Sequence, residues 1–155
     1  MAPRQHMRKM KVGKITFTEA YKAVYEYRQK FPEKAVTFYA QNYPAMGWAV
    51  LMAGGSCPVI PCTDKAFLKD AAIMEVEETN TDDYKRIVKS DIGSIIYSKS
   101  GTEIPVQLSS GKYSLKYIHP SSGKVTMIDK LLKINDVYTL KVPDKKEGIY
   151  WFHKL

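Results

Sequence analysis

The sequence predicts an α+β protein in which an N-terminal helical segment is followed by a C-terminal antiparallel β-sandwich of about seven strands. Three observations lead to this prediction. Apolar residues recur at helical spacing between Thr16 and Phe31. Five acidic residues lie between Glu75 and Asp83, where the composition changes. Beyond them, short runs that are alternating or β-branched are each followed by turn residues.

The composition is that of an ordinary globular protein. The chain has 155 residues, of which 45% are hydrophobic and 26% are charged, so it has room for one domain or for a small domain with an appendage. No stretch approaches the ~20 apolar residues that cross a bilayer, and we expect no membrane partner. The basic start, Met1–Met10, leads into Lys11–Lys14 rather than an apolar run, so no secretory signal is visible.

Residues 1–14 are predicted to be a disordered tail. Thr16 and Glu19 have the spacing of a capping box, and the helix that they begin is predicted over about 18–30, ending before Pro32. The apolar run 35–40 is predicted to be a short buried strand.

A second helix is apolar on every side. Pro44 suits its first position, and Ala45–Ala53 contains no polar side chain before Gly54 stops it. Because such a helix has no solvent face, it must pack closely against the sandwich or form a homo-oligomer through residues 44–54. A third helix is predicted after Thr63 or Asp64. Its buried stripe is expected to be Phe67, Leu68, Ala71 and Ala72.

The acidic segment divides the chain into a helical part, 15–78, and a sandwich, 79–155. Seven strands are predicted in the second part, with turn residues between them. They are Arg86–Lys89, Ser94–Ser98, Ile104–Leu108, Tyr113–Ile118, Val125–Ile128, Val137–Val142 and Ile149–His153.

The positive charge belongs to the β-rich part. Residues 84–155 carry 13 basic and 6 acidic residues. The lysines are spread one per strand or turn, which is typical of solvent-facing positions and protected sheet edges rather than of a nucleic-acid surface. A surface that binds anionic polymers is the alternative. The lysines concerned are Lys85, Lys99, Lys112, Lys116, Lys124, Lys133 and Lys141.

No residue pattern indicates catalysis. The histidines have no nucleophile or carboxylate partner at a telling spacing, no carboxylate pair suits glycoside hydrolysis, and no metal site or cofactor is expected. Cys57 and Cys62 are predicted to be buried free thiols. Aromatic residues give the candidate binding site, because flat rings can stack on sugars, although alternating aromatics more often form a core. The candidate glycan contacts are Tyr39, Tyr43, Tyr117 and Trp151.

Two stretches resemble a known architecture. Pro32–Ser56, with its apolar helix ending in Ala-Gly-Gly, resembles the late strand–helix segment of (β/α)8 barrels in glycoside-hydrolase-like proteins of polysaccharide-degrading bacteria. The β-rich part, with Ile95–Tyr97, the turn Tyr117–Gly123 and the closing Ile149–Phe152, resembles the C-terminal β-sandwich that follows those barrels. That family is labelled as the collagen-binding domain of a collagenase. Its turn often has Asp where this chain has His119.

The resemblance implies a partial barrel followed by a sandwich, and it carries over no catalytic residue. We therefore expect a non-catalytic accessory module of a glycoside-hydrolase-like protein, not an enzyme, with a polysaccharide or a catalytic barrel as its partner. The alternatives are a stand-alone carbohydrate- or matrix-binding module and a small hydrolase that takes acids from two chains. The resemblance also implies export to the periplasm or cell surface.

Overall fold

The computed structural model describes residues 15–38, 44–144 and 146–155. The predicted tail, 1–14, lies outside these residues. Helices and strands follow one another in an α+β arrangement, which confirms the predicted class. The elements are α1 Phe17–Lys30, α2 Pro44–Met52, α3 Lys65–Ala71, β1 Glu75–Glu77, β2 Tyr84–Lys89, β3 Gly93–Ser98, β4 Glu103–Gln107, β5 Gly111–Ile118, β6 Val125–Ile134, β7 Val137–Lys141 and β8 Gly148–Lys154.

The first helix begins as predicted. The Thr16 hydroxyl accepts a hydrogen bond from the Glu19 backbone N–H at 3.3 Å, and the Glu19 carboxylate accepts one from the Thr16 N–H at 2.8 Å. Each satisfies a backbone donor that the first helical turn leaves unpaired. The hydrogen bonds with Thr16 also hold the pKa of Glu19 below its usual value, because they favour the ionised form.

The second helix is enclosed by the rest of the chain. Every side chain described from Met46 to Ala53 is buried within the chain, which is the close packing predicted as one of its two arrangements. A homo-oligomer through residues 44–54 would have to open this core, and that partner stays a prediction. Gly47 allows the Val59 backbone to approach, since a Cβ there would lie 1.7 Å from the Val59 carbonyl oxygen. No helix among the described residues is long and apolar enough to cross a membrane.

The buried stripe of α3 differs from the prediction. Phe67 and Ala71 are buried, but Leu68 and Ala72 are exposed, and Asp70 is buried in their place. The helix is therefore rotated so that positions i, i+3 and i+4 face the sheet. Asp70 is tolerated there because two side chains of β8 hydrogen-bond its carboxylate.

The strand predicted over 35–40 is wrong for its described part, because residues 35–38 form no strand and are not buried. A strand needs a partner along its length, and here one backbone bond is made, from the Ser56 N–H to the Val36 carbonyl at 2.7 Å.

The thiols also differ from the prediction: Cys62 is buried, but Cys57 is exposed.

All seven predicted strands are present, and an eighth, β1, lies inside the acidic segment. It was missed because it has only three residues and pairs only with β2.

Lys85 was predicted to face solvent, and this is wrong. Its ammonium is buried, bonds the Thr81 carbonyl at 2.7 Å and Asp82 at 3.3 Å, and lies 4.8 Å from the centroid of the Tyr21 ring. Lys85 thus ties the acidic segment to α1.

The strands form two antiparallel sheets. The larger has six strands in the order β1-β2-β3-β8-β5-β6, and the smaller pairs β4 with β7. Alternate residues of β3 and β8 enter two separate cores: Ile95 and Trp151 pack under the helices, whereas Ile96 and Phe152 pack under the small sheet. Because two strands cover only part of six, the β-rich region is not a closed sandwich.

The turn after β5 joins the two parts of the molecule. The Trp48 indole N–H of α2 donates to the Pro120 carbonyl at 2.8 Å. Gly123, with φ of 68°, lies so close to the backbone before α3 that a Cβ would be 2.4 Å from the Pro61 carbonyl oxygen. The two stretches that resemble a barrel segment and a sandwich therefore contact each other directly.

We predict that Gly123→Ala lowers the free energy of unfolding by about 2 to 4 kcal/mol, because it adds a collision with the Pro61 backbone to the cost of a left-handed residue. Gly101 is the matched control: its φ is 73°, but its Cβ would meet only the flexible Asp144 side chain. Gly101→Ala should cost about 1 kcal/mol. Urea denaturation measures both, and equal losses would contradict the tight docking of the turn.

Candidate functional site

A groove opens where two consecutive strands diverge. β6 and β7 are separated by only Asn135 and Asp136, yet β6 pairs with β5 in the large sheet and β7 pairs with β4 in the small one. The Asp136 carbonyl accepts the Leu108 N–H at 3.0 Å, which holds this turn against the end of β4. The strands therefore separate as they leave the turn, and the space between them is left unfilled.

This groove has a volume of about 520 Å³, within the range typical of small-molecule sites. One wall comes from β5 and β6, and the other comes from β7 and the segment before β8. Among the described residues, the lining contains three tyrosines, two threonines, two lysines and no carboxylate. The lining residues are Leu115, Tyr117, Thr126, Met127, Ile128, Tyr138, Thr139, Leu140, Lys141, Pro143, Lys146 and Tyr150.

The three tyrosines are held in place by the strands. Tyr117 and Tyr150 are opposite each other on β5 and β8, with ring centroids 5.4 Å apart. Their hydroxyls donate to the carbonyls of Glu147 at 3.0 Å and Lys146 at 3.1 Å. Tyr138 packs edge-on against Phe152 with centroids 5.8 Å apart. Tyr150 is buried as the floor, while Tyr117 and Tyr138 are half-buried and line the walls.

Burial keeps the floor tyrosine neutral. Loss of water around the phenol, reinforced by Tyr117, raises the pKa of Tyr150 to about 12. Burial, with the nearby Glu147 charge, also raises the pKa of Tyr117. A phenol with its ordinary pKa is already neutral at physiological pH, and the raised pKa values keep both phenols protonated to higher pH.

The wall of the groove that β6 forms exposes apolar side chains. Met127 and Ile128 lie on this edge strand of the large sheet, and they are 43% and 52% exposed. Apolar surface beside aromatic rings suits the C–H faces of a sugar ring, and the Thr126 and Thr139 hydroxyls can bond to its hydroxyl groups. The groove can therefore hold an amphipathic ligand by stacking and by hydrogen bonds.

Of the two predicted glycan contacts that the structure describes, Tyr117 lies in this groove and Trp151 does not. Tyr39 and Tyr43 lie outside the described residues. Trp151 is wrong as a contact, because it is fully buried and faces the helices, where its ring meets Phe67 edge-on at 5.4 Å. Sequence reasoning did not select Tyr138 or Tyr150. The sequence does show that Tyr138 and Tyr150 occupy alternating positions on their strands. Alternation does not reveal which face of a strand is open to a ligand.

A second polar cluster surrounds Asp70. Its carboxylate accepts the Trp151 indole N–H at 2.9 Å and is 2.7 Å from His153 Nδ1. The Lys116 side chain lies over the Trp151 ring, with its ammonium 4.0 Å from the ring centroid. Because Asp70 satisfies two donors of β8 from α3, we interpret this cluster as a structural clamp between helix and sheet.

A larger cleft of about 760 Å³ lies between the helices and β1. Among the described residues that line it, Tyr25 is the one aromatic residue, so this part of the chain supplies no pair of aromatic rings there. Among the residues that the structure describes, no group of three or more His, Cys, Asp or Glu side chains could hold a metal ion.

Comparison with known proteins gives limited matches. A family model described as a domain of unknown function (DUF6298) matches residues 1–74, so the match ends one residue before β1. No curated protein matches the chain. A solved structure titled "Glycoside hydrolase" is similar, with 13% sequence identity and a TM-score of 0.36. That similarity covers 50% of this chain and 18% of the glycoside hydrolase.

We predict that Asp70→Ala lowers the free energy of unfolding by about 3 kcal/mol, because it leaves the buried Trp151 N–H without an acceptor. Asp70→Asn keeps one acceptor oxygen in the same volume and should cost about 1 kcal/mol. Urea denaturation followed by tryptophan fluorescence measures the difference. If both variants lost the same stability, the hydrogen bonds of Asp70 would not be what holds the clamp.

We predict that the stability advantage of the wild type over Tyr150→Phe shrinks between about pH 10 and pH 12. The unfolded phenol ionises near pH 10 and the folded one near 12, so between these values the unfolded state binds fewer protons and stability falls. Phenylalanine does not titrate. Unfolding free energies of both proteins across this range give the measurement, and a pH-independent difference would contradict the enclosure of Tyr150.

Proposed function

We propose that this chain is a non-catalytic accessory module of a glycoside-hydrolase-like protein and that the groove between β6 and β7 binds polysaccharide. The observation that carries the proposal is the placement of Tyr117 and Tyr138 on rigid strands along an apolar groove that lacks acids. Sites built on strands hold aromatic rings in fixed positions, so little side-chain entropy is lost when a sugar binds.

The accessory role is supported by the way the two parts pack. The β-rich part, which we treat as a sandwich open on one side, covers an apolar helix in a segment that resembles the late part of a (β/α)8 barrel. The docked Trp48 and the close approach at Gly123 fix their relative position. Such a module would position or stabilise a catalytic barrel, which is the partner we propose.

The chemistry of glycoside hydrolysis supports the non-catalytic part of the proposal. In most glycoside hydrolases two carboxyl groups flank the scissile bond, ~5–9.5 Å apart. The described residues that line the groove include no carboxyl group, and their polar groups are hydroxyls and lysine ammonium groups. A bound sugar would be held there but would lack both a general acid and a nucleophile.

A stand-alone carbohydrate- or matrix-binding module is the second candidate. One observation favours it: every lining residue of the groove comes from residues 115–150, so the site needs no other chain. The matrix alternative includes collagen, the ligand for which the resembling family is labelled. A binding panel that contains both polysaccharides and collagen separates these ligands.

The test is affinity electrophoresis through gels that contain soluble polysaccharides, with Tyr138→Ala and Tyr117→Ala as variants. We expect the wild type to be retarded and each variant to bind about 5- to 30-fold more weakly, because a lost aromatic contact costs roughly 1 to 2 kcal/mol. Tyr27→Ala is the control, since this ring is 55% exposed on α1, away from the groove.

Three results would contradict the proposal. The first is retardation of the wild type by no polysaccharide, and the second is migration of the groove variants like Tyr27→Ala. Release of reducing ends from any polysaccharide in the panel would contradict the non-catalytic assignment. Retardation by collagen alone would favour the matrix-binding alternative.

A further inference from the structure

The charges around the groove indicate which polysaccharides it accepts. Its lining contains Lys141 and Lys146 and no Asp or Glu. The β-rich part as a whole, residues 84–155, carries 13 basic and 6 acidic residues, so the long-range field at the groove is also positive. Resting on the proposed function, we propose that the groove selects a polysaccharide whose sugars carry carboxylate groups, that is, a uronic-acid polymer.

The nearby acids do not cancel this charge. Glu103 contacts Lys141 at 3.3 Å, but both side chains are well exposed, and such a surface pair is weak enough for a ligand carboxylate to replace it. The Glu147 carboxylate accepts a hydrogen bond from the Tyr97 hydroxyl. Its charge is near enough to raise the pKa of Tyr117, but Glu147 is not among the residues that line the groove.

The position of Lys146 is fixed by its own backbone. Its N–H donates to the Pro143 carbonyl at 3.2 Å, and its carbonyl accepts the Tyr150 hydroxyl at 3.1 Å. The Lys146 side chain is exposed. It leaves the backbone at the same residue whose carbonyl holds the hydroxyl of Tyr150, the groove floor. A sugar stacked on the tyrosines would present a ring substituent to this ammonium group.

The amount of charge favours a uronate over a sulfated polymer. Among the described residues that line the groove, the charged ones are two lysines, and the others are apolar, aromatic or hydroxyl side chains. A uronic acid carries one charge at the ring edge and leaves its C–H face free to stack on a tyrosine. Densely sulfated polymers need clustered basic residues to offset their charge, and they offer less apolar face.

The test compares ligands that share a backbone and differ in charge. Polygalacturonate and its highly methyl-esterified form have the same backbone, but the ester has lost the carboxylate charge. We expect tighter binding of the acid form by about 10-fold in low salt, and this preference should fall as NaCl is raised to 0.5 M, because exposed ion pairs are screened. Dextran and dextran sulfate form the second pair.

Lys146→Gln provides the test by mutation. It should weaken the binding of polygalacturonate about 3- to 10-fold and weaken the binding of the methyl ester less, so that the preference for the acid form falls. Lys99→Gln removes the same charge from an exposed turn that does not line the groove, and it should change neither.

The possible results separate this inference from the proposed function. Equal, salt-insensitive binding of the acid and the ester, abolished by Tyr138→Ala, would overturn the uronate preference and keep a glycan-binding groove. Binding of dextran sulfate but not polygalacturonate would also overturn it. Failure to bind any of the four polymers would overturn the uronate preference, and it would overturn the proposed function as well only if no other polysaccharide of the panel is bound. Binding that Tyr138→Ala leaves unchanged would overturn both.

Discussion

The enclosure of α2 is the constraint on which the rest of the structure depends. The described side chains of this helix and of Ala53 are buried, so each side of it must meet another part of the chain. α1 and α3 cover part of it, the large sheet lies beneath, and the turn before β6 closes the remaining gap through Trp48. Exposing even a few such side chains costs several kcal/mol, comparable to the whole stability of a small domain. The helical part therefore depends on the sheet.

Both faces of the large sheet are apolar, and each must be covered by another part of the chain. Neighbouring residues of β3 and β8 enter different cores, and the helix-side core continues through the edge-on rings of Trp48, Phe67 and Trp151. The opposite face has only β4 and β7 to cover it. This imbalance leaves the β6 edge uncovered, and the groove is its direct result.

Features that depend on local sequence could be predicted, and features that depend on a distant partner could not. The capping box of α1 and the alternation of the strands need only near neighbours. The strand at 35–40 needed a partner strand, the burial of Asp70 needed two donors some 80 residues away, and β1 needed β2. Alternation could not show that Trp151 is buried on the helix side, because both faces of β8 are covered. The groove itself depends on β6 and β7 joining different sheets, which a two-residue turn does not reveal.

The position of β8 has a consequence for the order of folding. It is the last of the eight strands in the sequence, yet it lies in the centre of the large sheet, where it joins the β1-β2-β3 half to the β5-β6 half. During synthesis on the ribosome, neither core can be completed until this strand has left the exit tunnel. The apolar α2 is made about a hundred residues earlier and must wait uncovered in the meantime, when a chaperone or a neighbouring nascent chain can reach it.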